Sequence, residues 1–101
     1  MDKVYCVYIL ANRKHGALYT GVTSDLAKRL YQHRTKSFTG FTADYGIDRL
    51  VRVEWHEEVT VAIAREKAIK KWRRAWKVEL IEADNPELHD LSVALFGLGP
   101  A

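Results

Sequence analysis

The sequence predicts an α+β fold: a small, mostly antiparallel three-stranded sheet flanked by helices, in the order β-β-α-β-α-α. Three observations carry this. Two short β-branched and aromatic runs near the N-terminus are joined by a polar connection. A period-two run follows at 50–56, and the remaining segments carry helical spacing. Strands and helices that do not alternate strictly argue for helices packed on an antiparallel sheet. At 101 residues, 48% hydrophobic and 29% charged, the chain reads as one globular domain rather than a disordered segment. Residues 1–90 are expected to form it, with 91–101 a flexible tail containing Gly97, Gly99 and Pro100.

The first strand is read from Val4 to Leu10, continuously apolar and therefore buried. Asn12 to Gly16 is a broad turn, and Ala17 to Val22 completes an antiparallel hairpin. Ser24 or Asp25 can cap a helix over about 25–36, with Leu26, Leu30 and His33 recurring on one face. Residues 37–48, with Phe38 and Phe41, read as an irregular loop. From Leu50 to His56 the run alternates, placing Leu50, Arg52, Glu54 and His56 on one face and Val51, Val53 and Trp55 on the other. Thr60 is a cap for a helix over 61 to about 72, with Val61, Ala64, Ala68 and Trp72 as inward positions. A last helix, about 74–83, carries Trp76, Leu80 and Ile81 and ends at Asn85-Pro86.

Several function classes are excluded by composition. A single cysteine, Cys6, rules out an internal disulfide framework and any multi-cysteine zinc site, and reads as a small buried apolar side chain. The apolar runs are too short to cross a bilayer. Met1-Asp2-Lys3 does not open a secretory signal, so the expected location is the cytoplasm and no membrane partner is expected. His15, His56 and His89 are too scattered for a metal site.

Charge is uneven. Residues 65–77 hold the bases Arg65, Lys67, Lys70, Lys71, Arg73, Arg74 and Lys77 against one acid, Glu66. Residues 79–90 hold Glu79, Glu82, Asp84, Glu87 and Asp90 and no Lys or Arg. Such polarity draws a polyanion to one face, although a basic run is also an ordinary solvated helix surface. Trp72 and Trp76 sit within the basic run. They read either as an aromatic platform beside a phosphate track or, favoured here, as core anchors with the bases snorkelling outward.

Tyr8 on the first strand and Tyr19 on the second can approach across the hairpin, and Gly21 would leave a gap for another chain or a phosphate. Arg29 and His33, four apart, share one side of the first helix. Taken singly, each has a bland reading: sheet tyrosines, helix-surface residues, a bulge glycine, and Glu66 as a salt-bridge partner.

Together they form an ordered set. Cys6-Val7-Tyr8, ten residues, then Tyr19-Thr20-Gly21 resembles the paired signature of the GIY-YIG nuclease superfamily. Arg29 and His33 follow within and just after Leu26-Ala27-Lys28-Arg29-Leu30, and Glu66 lies within Ala64-Arg65-Glu66-Lys67. The likeness runs over about residues 4–86 and is greatest to the small stand-alone bacterial members. Cys6 and Thr20 replace the Gly and Ile of the signature, at positions that need no reacting side chain.

The resemblance implies a metal-dependent endonuclease acting on DNA, of low sequence specificity or directed by DNA structure, in DNA repair or recombination. It assigns Glu66 to one divalent ion, Mg2+ or Mn2+. Tyr19, with Tyr8 beside it, becomes the general base. Arg29 becomes the phosphate fork, and His33 a proton-transfer or phosphate-holding group. Gly21, Lys28, Lys67, Lys70, Lys71, Arg73, Arg74 and Lys77 are the expected nucleic-acid contacts. Asn85 is a possible further site residue or simply a helix terminator. A monomer is expected. The alternatives are a catalytically inactive nucleic-acid-binding module, and a protein-interaction domain that uses the acidic 79–90 segment.

Overall fold

A computed structural model of the chain describes residues 4–13, 16–35 and 46–97. Phe38 and Phe41, the greater part of the expected 37–48 loop, and the end of the tail with Gly99 and Pro100 lie outside the described residues. The elements run β1 (Tyr5–Ala11), β2 (Leu18–Thr23), α1 (Leu26–Arg34), β3 (Arg49–His56), α2 (Val59–Lys71), α3 (Arg74–Asp84) and α4 (Leu91–Phe96). The sheet is antiparallel with order β2-β1-β3 and β1 in the centre. A centre strand buried on both faces needs apolar residues at every position, and β1 has them from Cys6 to Ala11.

Each face of the sheet has its own core. Val7, Ile9, Ala11 and Val51 pack with Ala62, Ile69 and Ile81 of α2 and α3. On the other face Cys6, Tyr8, Leu10 and Leu50 pack with Leu26 and Leu30 of α1 and with Ile47. The hairpin turn is closed by Asn12, whose Oδ1 accepts the Ala17 amide at 2.9 Å. Asp25 caps α1, its Oδ1 accepting from the Lys28 amide at 3.1 Å.

Four expectations need correction. The β3 faces do not alternate throughout, because Leu10 pairs with Leu50 and Ile9 with Arg52, leaving Val51 as an extra residue. This bulge puts Leu50 on the Tyr8 face while Val51 joins the opposite cluster. Second, α2 begins at Val59 after Glu58, which makes no side-chain cap, so Thr60 lies inside the first turn. Third, the inward stripe of α2 is Ala62 and Ile69, with Val61, Ala64 and Ala68 exposed. Apolar residues surround the first turns of this helix, so period alone did not single out one face. Fourth, residues 91–96 of the expected flexible tail form a helix. Asp90 caps it by accepting from the Ser92 amide at 3.0 Å. Arg34 from the end of α1 donates to Asp90 Oδ2 and Ser92 Oγ, each at 2.6 Å, and clasps the helix to the body.

Candidate functional site

The β1–β2 register decides what meets at the site. Tyr8 lies opposite Gly21 and Leu10 opposite Tyr19, so both phenols stand on the α1 face of the sheet, diagonal to one another. Their ring centroids are 6.3 Å apart. A side chain at position 21 would meet Tyr8, since an ideal Cβ there lies 2.5 Å from its hydroxyl oxygen and 2.6 Å from Cζ. The space a side chain would take at Gly21 is therefore filled by the Tyr8 phenol.

His33 comes down from α1 onto both rings, with centroids 6.0 Å from Tyr8 and 5.4 Å from Tyr19. Its Nε2 is hydrogen-bonded to the Tyr8 hydroxyl at 3.2 Å. Burial holds the His33 imidazole below its ordinary value, with the Arg29 guanidinium adding to the shift. A neutral ring with its proton on Nδ1 accepts from the phenol at Nε2. Tyr8 is 1% exposed, and burial pushes its hydroxyl well above the usual phenol range. The charges of Tyr19 and Glu66 push in the same direction, whereas Arg29 acts to lower it. The Tyr8 phenol thus feels charge from α1, through Arg29, and from α2, through Glu66.

Glu66 is on the inner side of α2, its side chain 13% exposed, and Oε2 pairs with Lys70 Nζ at 3.0 Å. The same ammonium lies 6.0 Å from the Tyr19 ring centroid. Lys70 therefore lies beside two site residues. The i,i+4 spacing from Glu66 is the sequence signal for it. Among the described residues no group of three His, Cys, Asp or Glu gathers around a common point. One accessible carboxylate still fits a Mg2+ ion, which commonly takes one or two carboxylates and fills its remaining positions with water and substrate phosphate.

The other expected contacts divide. Lys28, Lys67 and Lys71 are exposed on α1 and α2. Arg73 lies over the Trp76 ring, 4.6 Å from its centroid. Arg74 donates to the Gly16 carbonyl, which pins the hairpin turn to α3, and Lys77 Nζ reaches the Lys70 carbonyl at 3.4 Å. Asn85 is buried away from chemistry: its Nδ2 donates to the carbonyls of Val51 at 3.2 Å and His89 at 2.9 Å, and its Oδ1 accepts the His89 amide at 3.0 Å. Every polar atom of that side chain serves backbone, so Asn85 ties the 85–89 turn to β3. Trp72 is half-buried against the core, as a core anchor should be, but Trp76 is 46% exposed and is not one. No helix among the described residues is long and apolar enough to cross a membrane.

Comparison with known proteins identifies relatives of the chain. Residues 4–79 match the model of the GIY-YIG catalytic domain. A UPF0213 protein of Syntrophus aciditrophicus is 38% identical over 86% of this chain and 98% of its own. A UPF0213 protein of Autographa californica nuclear polyhedrosis virus is 34% identical over 92% and 90%. The solution NMR structure of a UPF0213 protein from Bacillus halodurans superposes with a TM-score of 0.55 at 27% identity, covering 89% of this chain and 95% of that one. The paired tyrosines, the α1 arginine and histidine and the α2 glutamate all lie within the matched span, and the chain belongs to the GIY-YIG family of nuclease domains.

Proposed function

We propose that the chain is an endonuclease that hydrolyses phosphodiester bonds in DNA, with Mg2+ or Mn2+ held at Glu66. The observation that carries this reading is the packing of the Tyr8, Tyr19 and His33 rings against one another, with the charges of Arg29 and Glu66 acting on the Tyr8 phenol. β1 supplies Tyr8, β2 Tyr19, α1 the bonded His33 and the nearby Arg29, and α2 Glu66. Hydrolysis of a phosphodiester has a use for each of these groups: a phenol or imidazole to take a proton, a guanidinium for the phosphate and a carboxylate for a metal ion.

Tyr19 is half-buried and Tyr8 buried, so Tyr19 is the phenol more open to an attacking water. Its role is to take the water's proton, with the Lys70 ammonium 6.0 Å from its ring centroid. Arg29 offers a planar donor fork to the phosphate as negative charge builds on it. Tyr8 and His33 form a buried pair that fixes the wall against which the scissile group lies. A divalent ion at Glu66 would stabilise charge on the phosphate and the leaving oxygen. The Tyr8–His33 hydrogen bond supports a second route: Tyr8 takes the water's proton while passing its own to neutral His33, so no free phenolate forms.

The small surface of the domain favours low sequence specificity or recognition of DNA structure. A cytoplasmic monomer acting in DNA repair or recombination is the setting that fits this reading. The test is a cleavage panel over single-stranded, duplex and branched DNA, and RNA, with Mg2+, Mn2+ or EDTA. Cleavage is expected only with the metal and is expected to be lost in Glu66→Ala and Arg29→Ala. Tyr19→Phe should abolish it under the first route, and Tyr8→Phe or His33→Ala under the second. Salt-sensitive binding without cleavage in any arm would replace the hydrolase with a binding module.

A further inference from the structure

We propose that the corner between the end of α2 and the first turns of α3 is a pocket for an unpaired DNA base, with a preference for bases that carry an amino group. This deepens the nuclease reading and rests on it. The corner is a shallow surface cavity of about 520 Å³ lined by Trp72, Trp76, Glu79 and Leu80. Its two indoles meet edge to face, centroids 6.3 Å apart and planes at 81°. Trp72 and Leu80 are packed against the core and form the floor. Trp76 is 46% exposed on a helix whose core positions are already taken by Leu80 and Ile81. An indole held at the surface is therefore not explained by packing.

Both rings carry a cation. The Arg65 guanidinium carbon lies 5.1 Å from the Trp72 centroid, and that of Arg73 4.6 Å from the Trp76 centroid. Arg73 covers one face of Trp76, and the part of the indole left exposed is the surface on which a flat group would stack. Aromatic platforms flanked by bases are how proteins hold single strands, because every base presents a π-face.

Glu79 sets the choice of base. It is exposed, three residues beyond Trp76, and makes no ion pair among the described residues. A carboxylate at the mouth repels a phosphate, so the corner is not a phosphate site. It accepts hydrogen bonds from the amino groups of cytosine and adenine. Thymine offers one N–H between two carbonyl oxygens and is disfavoured beside it. A duplex keeps its bases stacked and paired, and so cannot fill the pocket without unstacking one.

The test is binding of short labelled oligonucleotides of dA, dC and dT, and of a duplex, followed by anisotropy in EDTA so that nothing is cut. Trp76→Ala should weaken single-strand binding roughly tenfold and leave duplex binding unchanged. Trp76→Phe, which keeps a flat ring, should restore most of it. Glu79→Ala, which leaves no acceptor, should abolish the preference for dA and dC over dT. Equal losses on duplex and single strands, no loss at all, or a Trp76→Phe chain as weak as Trp76→Ala would overturn the pocket. If the unaltered chain binds no DNA at any salt concentration, the nuclease reading itself fails, whatever Trp76 does.

Discussion

Gly21 and Tyr8 face one another across the β1–β2 pair, and the missing side chain of one is the space of the other. In Gly21→Ala the new methyl group lies inside the phenol's contact distance, so Tyr8 must leave its bond to His33. The expected cost is about 1–3 kcal/mol by chemical denaturation, the usual range for overpacking. Cleavage should fall with it. Asn85 gives the opposite pattern. Asn85→Ala removes hydrogen bonds to three backbone groups in a buried turn and should destabilise by roughly 1–3 kcal/mol. Cleavage per folded molecule should be retained, measured with the folded fraction held constant. The identities of Tyr8, Tyr19, Arg29, His33 and Glu66 were legible because order and spacing along the chain carry them. The roles of Gly21 and Asn85 were not, since each depends on partners set by strand register or by a turn. Lys70 was legible only as a base: its approach to Tyr19 requires knowing which edge of the sheet α2 passes.

At the scale of elements, β3 shows where local pattern stops being sufficient. The alternation holds from Arg52 to His56, but the extra residue at Val51 breaks it from Leu50 and shifts its phase relative to β1. That shift puts Glu54 on the α2 face, where its carboxylate receives Arg65 Nε at 2.8 Å and Arg52 Nη2 at 2.9 Å. Arg52 also reaches Asp84 of α3 at 2.6 Å, so β3, α2 and α3 are joined through one partly buried acid. Burial alone would raise the Glu54 carboxyl, but the hydrogen bonds from Arg65 and Arg52 prevail and hold it below its ordinary 4.5. The folded state therefore binds this proton less readily than the unfolded chain does. The stabilisation from Glu54 is fully present above pH 4.5 and is lost as pH falls through the depressed folded value. Glu54→Gln should lower stability at neutral pH and flatten the acid limb below pH 4.5, as read from denaturation midpoints across pH. The strand, hairpin and helix order was legible from periodicity. The short α4 was not, because its stability comes from the clasp of Arg34 on Asp90 and Ser92, residues far apart in sequence.

For the whole molecule, the basic run and the acidic run fall on successive parts of α2, α3 and the turn after them. Arg65 is committed to Glu54 and Arg74 to the hairpin turn, so the exposed Lys67 and Lys71 carry the field outward. DNA binding should weaken steeply with salt, the slope of log K against log salt being about −0.9 per phosphate engaged on a duplex. Lys67→Glu with Lys71→Glu should reduce that slope by about one for each phosphate no longer neutralised, across all sequences alike.

β1, which carries Tyr8, is hydrogen-bonded along both its edges. Its amides cannot be released by fraying from a rim; they open only when the entire sheet does. Deuterium should therefore enter Tyr8 and Ile9 at the rate of global unfolding. On titration with urea, catalytic competence and the cooperative melt should disappear at one shared midpoint.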